Sequence, residues 1–594
     1  MKKLTFKHQL LMFVGSTWLL MGCTNAEYDF NKVDYTLGFG GNEITLPSNN
    51  STAEIQLDDL LKIGNSDLLK IDENTGDYLL NKKPDQAIAP VKVNINPITI
   101  AADNHLGLSY DINLPADIPS QFIGQRIKLP YSTTIYGQEI NIPVISAGGD
   151  ISLLDYEFDA PAEIKSLDYV DLGLNGQGAD LVLNLSIPSS INKLQSLRVD
   201  MPDALVMTCE TLPDNFDSEK NVLELKDFEI GGSLSIKFNV TRIKNDGVSV
   251  KLENGKFQIK AKIALSIEIS ELTIPSSSTM QVSGDAYFSD FIISGGRGVF
   301  DPEIKLDDIG SVRINSIPEF LTAKEVVADI DNPQIWLTIT STMPLGGTIL
   351  AQLASDTYTT PIQLSPIWVS ASTDGNTPAV TSVLICRHRP DNLPDNYQVI
   401  ENDNLSKLIE TLREGMQIRF TVNIVKASSD PAVVMLGHQY QLTPEYEFSC
   451  PLAFGENAVV VYSDEEKDWH KDIDMLQLSD GAYVHLDANA VNKIPADLQL
   501  SIIPLGLNGK ELPENILKVE LIRDQVSGTT GEAVSSPIEA KISGDISQLD
   551  GVIFKLTAKS NAALRGVTLN RKKQTLQLKD LKVKIVGRVI YDAN

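Results

Sequence analysis

Cysteine is scarce in this chain, with four residues in 594, at positions 23, 209, 386 and 450. The last three are an odd number, so at most one disulfide can form among them and the fold must be held by its apolar cores. No CxxC and no Cys/His zinc spacing occurs, which removes the common structural zinc modules. HExxH, GxSxG, a phosphate loop ending in Gly-Lys-Ser/Thr and a GxGxxG after a strand are also missing. With them go the local signatures of the major hydrolase, NTPase and dinucleotide-binding classes. Aromatic residues make up only 6%, so nothing announces the exposed ring platforms that sugar-binding surfaces recruit. After residue 22 no apolar run approaches the ~20 residues of a membrane-spanning helix. Bases are the minority charge, 50 against 78 acids for a net of −28, which makes nucleic acid a poor partner. A solvated acidic surface that resists self-association accounts for that balance. The expectation from these absences is a non-enzyme with no catalytic residue, no cofactor and no metal ligand.

What is present begins at the N-terminus. Lys2, Lys3 and Lys7 precede a mostly apolar run from Leu10 to Met21, and Leu20-Met21-Gly22-Cys23 closes it with a small residue before a cysteine. This stretch resembles the lipobox of bacterial lipoproteins, with Met21 departing from the small or β-branched residue usual at its position. The resemblance implies that Cys23 is lipidated and becomes the first mature residue, with multiple acyl chains giving stable anchoring where one is marginal. Thr24 is not the Asp that retains such proteins on the inner membrane, so the resemblance implies the outer membrane of a Gram-negative cell, with the leaflet open. Removing residues 1–22 leaves 572 of the 594 and takes away three lysines and no acid, moving the net charge from −28 to −31.

Period-two alternation dominates the rest. Leu234, Ile236, Phe238 and Val240 form one apolar face; Asn245-Asp246-Gly247 turns the chain into Val248, Val250 and Leu252. Asn254-Gly255 turns it again into Phe257 through Ile269, giving a three-stranded meander. Its last strand, about 40 Å long at ~3.3 Å per residue, must bend at a bulge or belong to a curved sheet. Similar alternation recurs at Leu181–Ile187, Ile335–Ile339, Met416–Ile424 and Leu576–Ile585, the last with a one-residue shift at Lys579-Asp580 that predicts a bulge. Asn74-Thr75-Gly76-Asp77 predicts a hairpin turn. Leu405, Leu408, Ile409 and Leu412 predict a helix capped by Asp403 or Asn404 and stopped at Gly415. Apolar-Pro-x-x-apolar recurs at Pro119, Pro188, Pro318, Pro495 and Pro513 at irregular intervals, marking element junctions and no solenoid period.

Val326–Leu350 contains Asp331-Asn332-Pro333-Gln334-Ile335-Trp336-Leu337 and Pro344-Leu345-Gly346-Gly347. Over these 25 or so residues it resembles the Asn-Pro-centred strand pair of water-stress and late-embryogenesis-abundant type β-sandwich modules. That resemblance implies a small sandwich and carries over no site.

Three clusters are weighed for chemistry. Asp464, Glu465, Glu466, Asp468, Trp469, His470, Asp472 and Asp474 read as a solvated loop, with a calcium site or sugar platform as the alternative. Cys386-Arg387-His388-Arg389 is a basic island that would lower the thiol pKa and receive an anion or an acidic partner, against a plain strand end with a buried cysteine. Gly295-Gly296-Arg297-Gly298 reads as a turn or bulge following a strand at Phe291–Ile293, with an anion nest as the alternative. Trp336 and Trp368 lie in strand-like runs and are expected in the core.

The fold expectation is all-β: several antiparallel β-sandwich-like domains with a long-stranded meander and few short helices. The divisions are a signal peptide (1–22), lipidated Cys23 and tether (23–52), and β domains at 53–150, 151–310, 311–450 and 451–594. The function expectation is an outer-membrane-anchored, non-catalytic lipoprotein displaying adhesive or binding β domains, facing the periplasm or the cell surface. Its partners would be the membrane, through the lipid, and a protein, glycan or lipid ligand. A carrier of lipid or another hydrophobic ligand and a carbohydrate-active surface protein are the alternatives.

Overall fold

The computed structural model describes residues 37–39, 44–46, 51–61, 66, 68–84, 87–101, 106–115, 118–173, 177–247, 250–306, 308–470 and 476–591. Cys23, Asp472 and Asp474 lie outside them. The protein is all-β, built of antiparallel sheets with a few one-turn helices. The sheets pack as three sandwiches.

In the first sandwich, a seven-stranded sheet is centred on Lys256–Thr273, flanked by Ile145–Asp159 and Ile191–Asp200. It faces a nine-stranded sheet that includes Ile164–Leu172, Ala179–Ser186, Ser233–Lys244, Thr279–Phe288 and Phe291–Phe300. The alternation that predicts these strands also fills the space between them: Leu181, Leu183, Ile236 and Phe238 from one sheet meet Leu194, Leu197, Leu265 and Ile267 from the other. Lys256–Thr273 is longer than its expected span, and bulges in its partners at Ser152/Leu154 and between Ile191 and Ser196 accommodate its length. The meander differs from expectation. Ser233–Lys244 belongs to the nine-stranded sheet, whereas Val250–Glu253 pairs with Lys256–Thr273 in the other. The chain therefore changes sheet between Lys244 and Val250, because Ile236, Phe238 and Val240 of one strand and Leu252 of the other pack on the same core.

In the second sandwich, the sheet containing Gln334–Ser341, Ala379–Cys386 and Tyr440–Pro451 faces the one containing Asp308–Ile314, Gly347–Ser355 and Met416–Ala427. The two strands of the Asn-Pro segment thus lie in opposite sheets. The third pairs Tyr483–Asn492, Val534–Gly544 and Thr575–Val586 in one sheet, and Val459–Glu466, Asp497–Gly506 and Leu549–Lys559 in the other. Asp580 takes a positive φ and the register slips opposite Asp487/Asn489, which is the bulge the sequence predicts.

The N-terminal stretch is distributed differently from the expected divisions. Leu37–Phe39, Ile44–Leu46 and Ile55–Gln56 pair with C-terminal strands of the third sandwich and its neighbouring small sheet. Tyr78–Lys82 and Val91–Val93 pair with Tyr440–Pro451 of the second, and Ile98–Ile100 with Phe291–Phe300 of the first. The chain passes along all three units, then returns through them in reverse order. The expected tether is shortened by its strands, and of 53–150 the part up to residue 100 is a strap across all three sandwiches, while Leu106–Asn113 and the start of Ile145–Asp159 belong to the first.

Local signals resolve as follows. Gly76 has φ +80° in a turn whose Asp72 carboxylate accepts from the Asn74 and Thr75 amides, joining Leu69–Ile71 to Tyr78–Lys82. The predicted helix at Leu405–Leu412 is one 3₁₀ turn, Leu405–Leu408. Its apolar residues are buried, but the Glu410 carbonyl is taken by the Ala328 amide, so the ladder does not propagate. At Pro119, Pro188, Pro318 and Pro513 the proline carbonyl accepts from the amide three residues on. Pro161, Pro202 and Pro394 make the same turn, which leads into a strand at Pro161, Pro188, Pro202, Pro394 and Pro513 and forms a 3₁₀ turn at Pro119 and Pro318. Gly295–Gly298 continues the strand Phe291–Phe300 and is not a turn.

Candidate functional site

An open groove of ≈ 620 Å³ lies on the second sandwich. Its floor follows from strand alternation. Ile335, Leu337 and Ile339 point into the core, so Trp336 and Thr338 point out. Tyr440–Pro451 lies alongside in a register that sets Glu447 against Trp336 and Glu445 against Thr338. Tyr397, from the short parallel strand Tyr397–Glu401, stands edge-on to Trp336 at 5.4 Å and 88°. Lys83, Pro84, Ala87 and Ile88 of the N-terminal strap form the rim.

The floor is fixed in place. The Trp336 indole N–H donates to the Ser449 carbonyl at 2.8 Å. Glu447 pairs with Lys83 at 3.5 Å and accepts from the Asn81 amide. The result is an aromatic wall beside carboxylates, an ammonium and amide groups, which suits a ligand with one apolar face and a polar edge. Glu445 and Glu447 are two residues apart on one face of one strand, side by side and not across a cleft.

The sequence places Trp336 in the core; it lies outside the space between the sheets, half-buried with Tyr397 on a small apolar cluster of Leu384, Cys386 and Leu393, and the sequence does not single out Tyr397, Glu445, Glu447 or Lys83. The alternation of 440–451 does put both glutamates on one face. What it cannot show is that residues 83, 336 and 397 come to meet them. Trp368 is not core either: it is 64% exposed on Ile367–Val369, an edge position whose neighbours Ile367 and Val369 take the inward face.

The basic island does find an acidic partner, within the chain. Arg387 lies 3.5 Å from the Asp329 carboxylate, and His388 and Arg565 lie 3.5 and 3.2 Å from that of Asp331. Asn332 accepts from the amides of Arg387 and His388, so the Asn-Pro segment and the island form one joint. The Cys386 thiol fits the plain reading of a strand end with a buried cysteine, and not that of a thiol lowered by its basic neighbours. Burial pushes it up to about 11, with Glu401 adding and Arg389 opposing, so desolvation outweighs the neighbouring cations. Cys209, Cys386 and Cys450 are all free and buried, and burial raises Cys450 to about 12.

These raised thiols give a pH prediction. Proton binding by the folded state is favoured, so their contribution to stability is complete below the ordinary value of 9.0 and is lost as pH rises toward 11 and 12. At pH 8 the native chain should be inert to a disulfide reagent, and all three thiols should react after unfolding. Rapid labelling of the native chain would contradict their burial.

In the acidic cluster, Trp469 is buried among Leu517, Leu549 and Val552 and offers no platform. His470 Nδ1 lies 3.0 Å from the Ser547 carbonyl, and Glu465 pairs with Lys467. His485, Asp487 and Glu539 meet on the third sandwich, a convergence the sequence reading did not find.

No family model matches the chain, and no curated protein matches it. Among solved structures, a candidate secreted protein from Parabacteroides distasonis shares 12% identity over 47% of this chain and 80% of that one, with a TM-score of 0.32. A triple jelly-roll protein of an archaeal virus turret shares 11% over 78% and 90%, with a TM-score of 0.11. Neither likeness bears on function.

Proposed function

We propose that this chain is an outer-membrane lipoprotein, anchored through Cys23, that binds a saccharide without transforming it. The observation that carries the binding role is the groove of Trp336, Tyr397, Glu445, Glu447 and Lys83. A sugar ring lays its C–H face on an aromatic ring and its hydroxyls on carboxylates and amides, and this wall offers both. Glu447 is already neutralised by Lys83, and the two glutamates share one strand, so the pair is arranged to hold hydroxyls and not to flank a glycosidic bond. The anchor's placement supports display. Residues 24–36 can span at most about 45 Å, and Leu37–Phe39 and Ile44–Leu46 pair with C-terminal strands of the small sheet and the third sandwich, so an anchor at Cys23 would tether the chain at that end. The hydrophobic-carrier alternative has less support, because the apolar face of Lys256–Thr273 is spent on the core, where a cavity lined by Phe257, Ile293 and Phe300 measures only ≈ 10 Å³.

The test has two arms. Cys23→Ala should shift the protein from the membrane to the soluble fraction. Trp336→Ala should weaken binding of the best glycan found on an array by at least about ten-fold, the size expected for truncating an aromatic anchor. Retention of Cys23→Ala at the membrane would overturn the anchor. Unchanged glycan affinity in Trp336→Ala, absence of glycan binding by the parent chain, or sugar release from bound oligosaccharides would overturn the binding reading.

A further inference from the structure

His485 and Asp487 project from the same face of Tyr483–Asn492, the face turned away from the core, and Glu539 stands directly opposite Asp487 on Val534–Gly544. Two carboxylates facing each other across neighbouring strands repel. The imidazole lies between them, with Nε2 3.4 Å from Asp487 Oδ1 and 3.2 Å from Glu539 Oε1. That nitrogen is buried, yet it makes no hydrogen bond, because neither oxygen meets the required geometry. Three ligand atoms within 4.8 Å of one another therefore converge without satisfying each other.

The geometry points to a site for zinc or a similar first-row divalent ion, held by His485 Nε2, Asp487 and Glu539. Zinc bonds of about 2.0–2.2 Å in a tetrahedron put neighbouring ligands about 3.3–3.6 Å apart, and the two imidazole–carboxylate separations fall at or just below that edge. A cation at the shared point would remove the repulsion between the acids and use the nitrogen's lone pair. Glu539 divides its oxygens: Oε2 faces Arg523 Nε at 3.5 Å, leaving Oε1 for the ion, as an outer partner orients a ligand. Lys541 on one side and Lys584 on the other are the cross-strand neighbours of His485, and Lys582 is that of Asp487; Lys541 sits over the Tyr483 ring at 4.1 Å. With three protein ligands and a half-exposed Asp487, the fourth position is left to water, the arrangement of an open zinc site. The sequence reading found no zinc spacing because the third ligand is 52 residues from the second and arrives only through the strand register.

The test uses the full mature chain, stripped with chelator and titrated with zinc chloride by calorimetry, with bound metal counted by mass spectrometry. One equivalent is expected, with His485→Ala and Asp487→Asn each weakening it by at least about ten-fold while circular dichroism stays unchanged. Cobalt on the parent chain should give the intense visible bands of four-coordination, a readout that needs no variant to fold. Failure of the parent chain to bind zinc, equal binding by the folded variants, a six-coordinate cobalt spectrum, or calcium displacing zinc at equal concentration would each overturn the assignment.

Discussion

Gly298→Val is expected to prevent the first sandwich from closing, and Gly298→Ala to destabilise it by about 3 kcal/mol, the upper end for overpacking a rigid site. Gly298 lies inside Phe291–Phe300, which is laddered to Ile164–Leu172 through three register shifts. Those shifts bring the two backbones together: a Cβ on Gly298 would run into the Ser166 carbonyl oxygen and stand 2.9 Å from the Leu167 Cα. Gly296 is similar, 2.5 Å from the Tyr169 oxygen. Backbone atoms cannot swing aside as a flexible side chain can, so the strand must separate or the bulges must be lost. Gly231→Ala is the control, since nothing lies within 4 Å of its Cβ position, and it should change stability by no more than about 0.5 kcal/mol. Urea unfolding followed by a probe of the first sandwich checks the series. A Gly298→Val chain with the parent midpoint would show that the strands are not in the register described.

The same glycines mark where sequence reading stops. Period-two alternation identifies strands and their inward residues correctly at Leu181–Ile187, Ile335–Ile339 and Met416–Val422, because one buried face is a local property; at Ile424 it fails, since a register shift at Asn423 turns Ile424 outward and Val425 to the core. The bulge at Lys579-Asp580 was legible for the same reason: a shift of one residue reverses the faces. Gly295–Gly298 reads as a turn or bulge because glycine's local meaning is flexibility, and register shifts do fall along it although the strand does not turn. The glycines' role here is close approach of another strand, which only the fold reveals. The sheet to which each strand belongs was likewise hidden, as Ser233–Lys244 and the strap at residues 37–100 show. In the groove, the outward face of Tyr440–Pro451 was readable, but Lys83, Trp336 and Tyr397 come from segments with no sequence relation to it. Trp368 shows the converse error: a tryptophan in a strand-like run was taken as core, and its edge position exposes it.

Removing both Arg387 and Arg565 as alanines should lower the unfolding transition of the second and third sandwiches by about 6–12 °C and shift the first less. The two sandwiches are joined at Asp329 and Asp331, each about nine-tenths buried, with isolated bridges at Val327/Val459 and Ile330/Phe454 on either side. Asp329 also accepts from the Asn457 amide, and its carboxylate is packed so tightly on Gly455 that a Cβ there would lie 2.5 Å from Cγ. Taking away a buried charge's partner costs about 3–5 kcal/mol; here the cations are partly exposed and His388 remains beside Asp331, so about 3 kcal/mol for the pair is the expectation. At roughly 2–4 °C per kcal/mol for units of this size, that gives the stated shift. The two sandwiches should move together because Ala490, Ile494, Ala496 and Leu498 of the third lie in the same apolar cluster as Leu337 and Phe420 of the second. The first has a cluster of its own that meets the second through Val93, Met343, Leu345 and Tyr440, so it should respond less. The reverse substitutions should be milder, since loss of either aspartate leaves cations that can reach water. Calorimetry separates the outcomes, with Lys220→Ala, which removes an exposed pair with Asp217, as the variant expected to change nothing. An unshifted transition in the double variant would mean that the joint is held by its backbone bridges alone. A larger effect would bear on the groove, because the Asp331-Asn332-Pro333 segment that the arginines hold leads directly into the strand carrying Trp336.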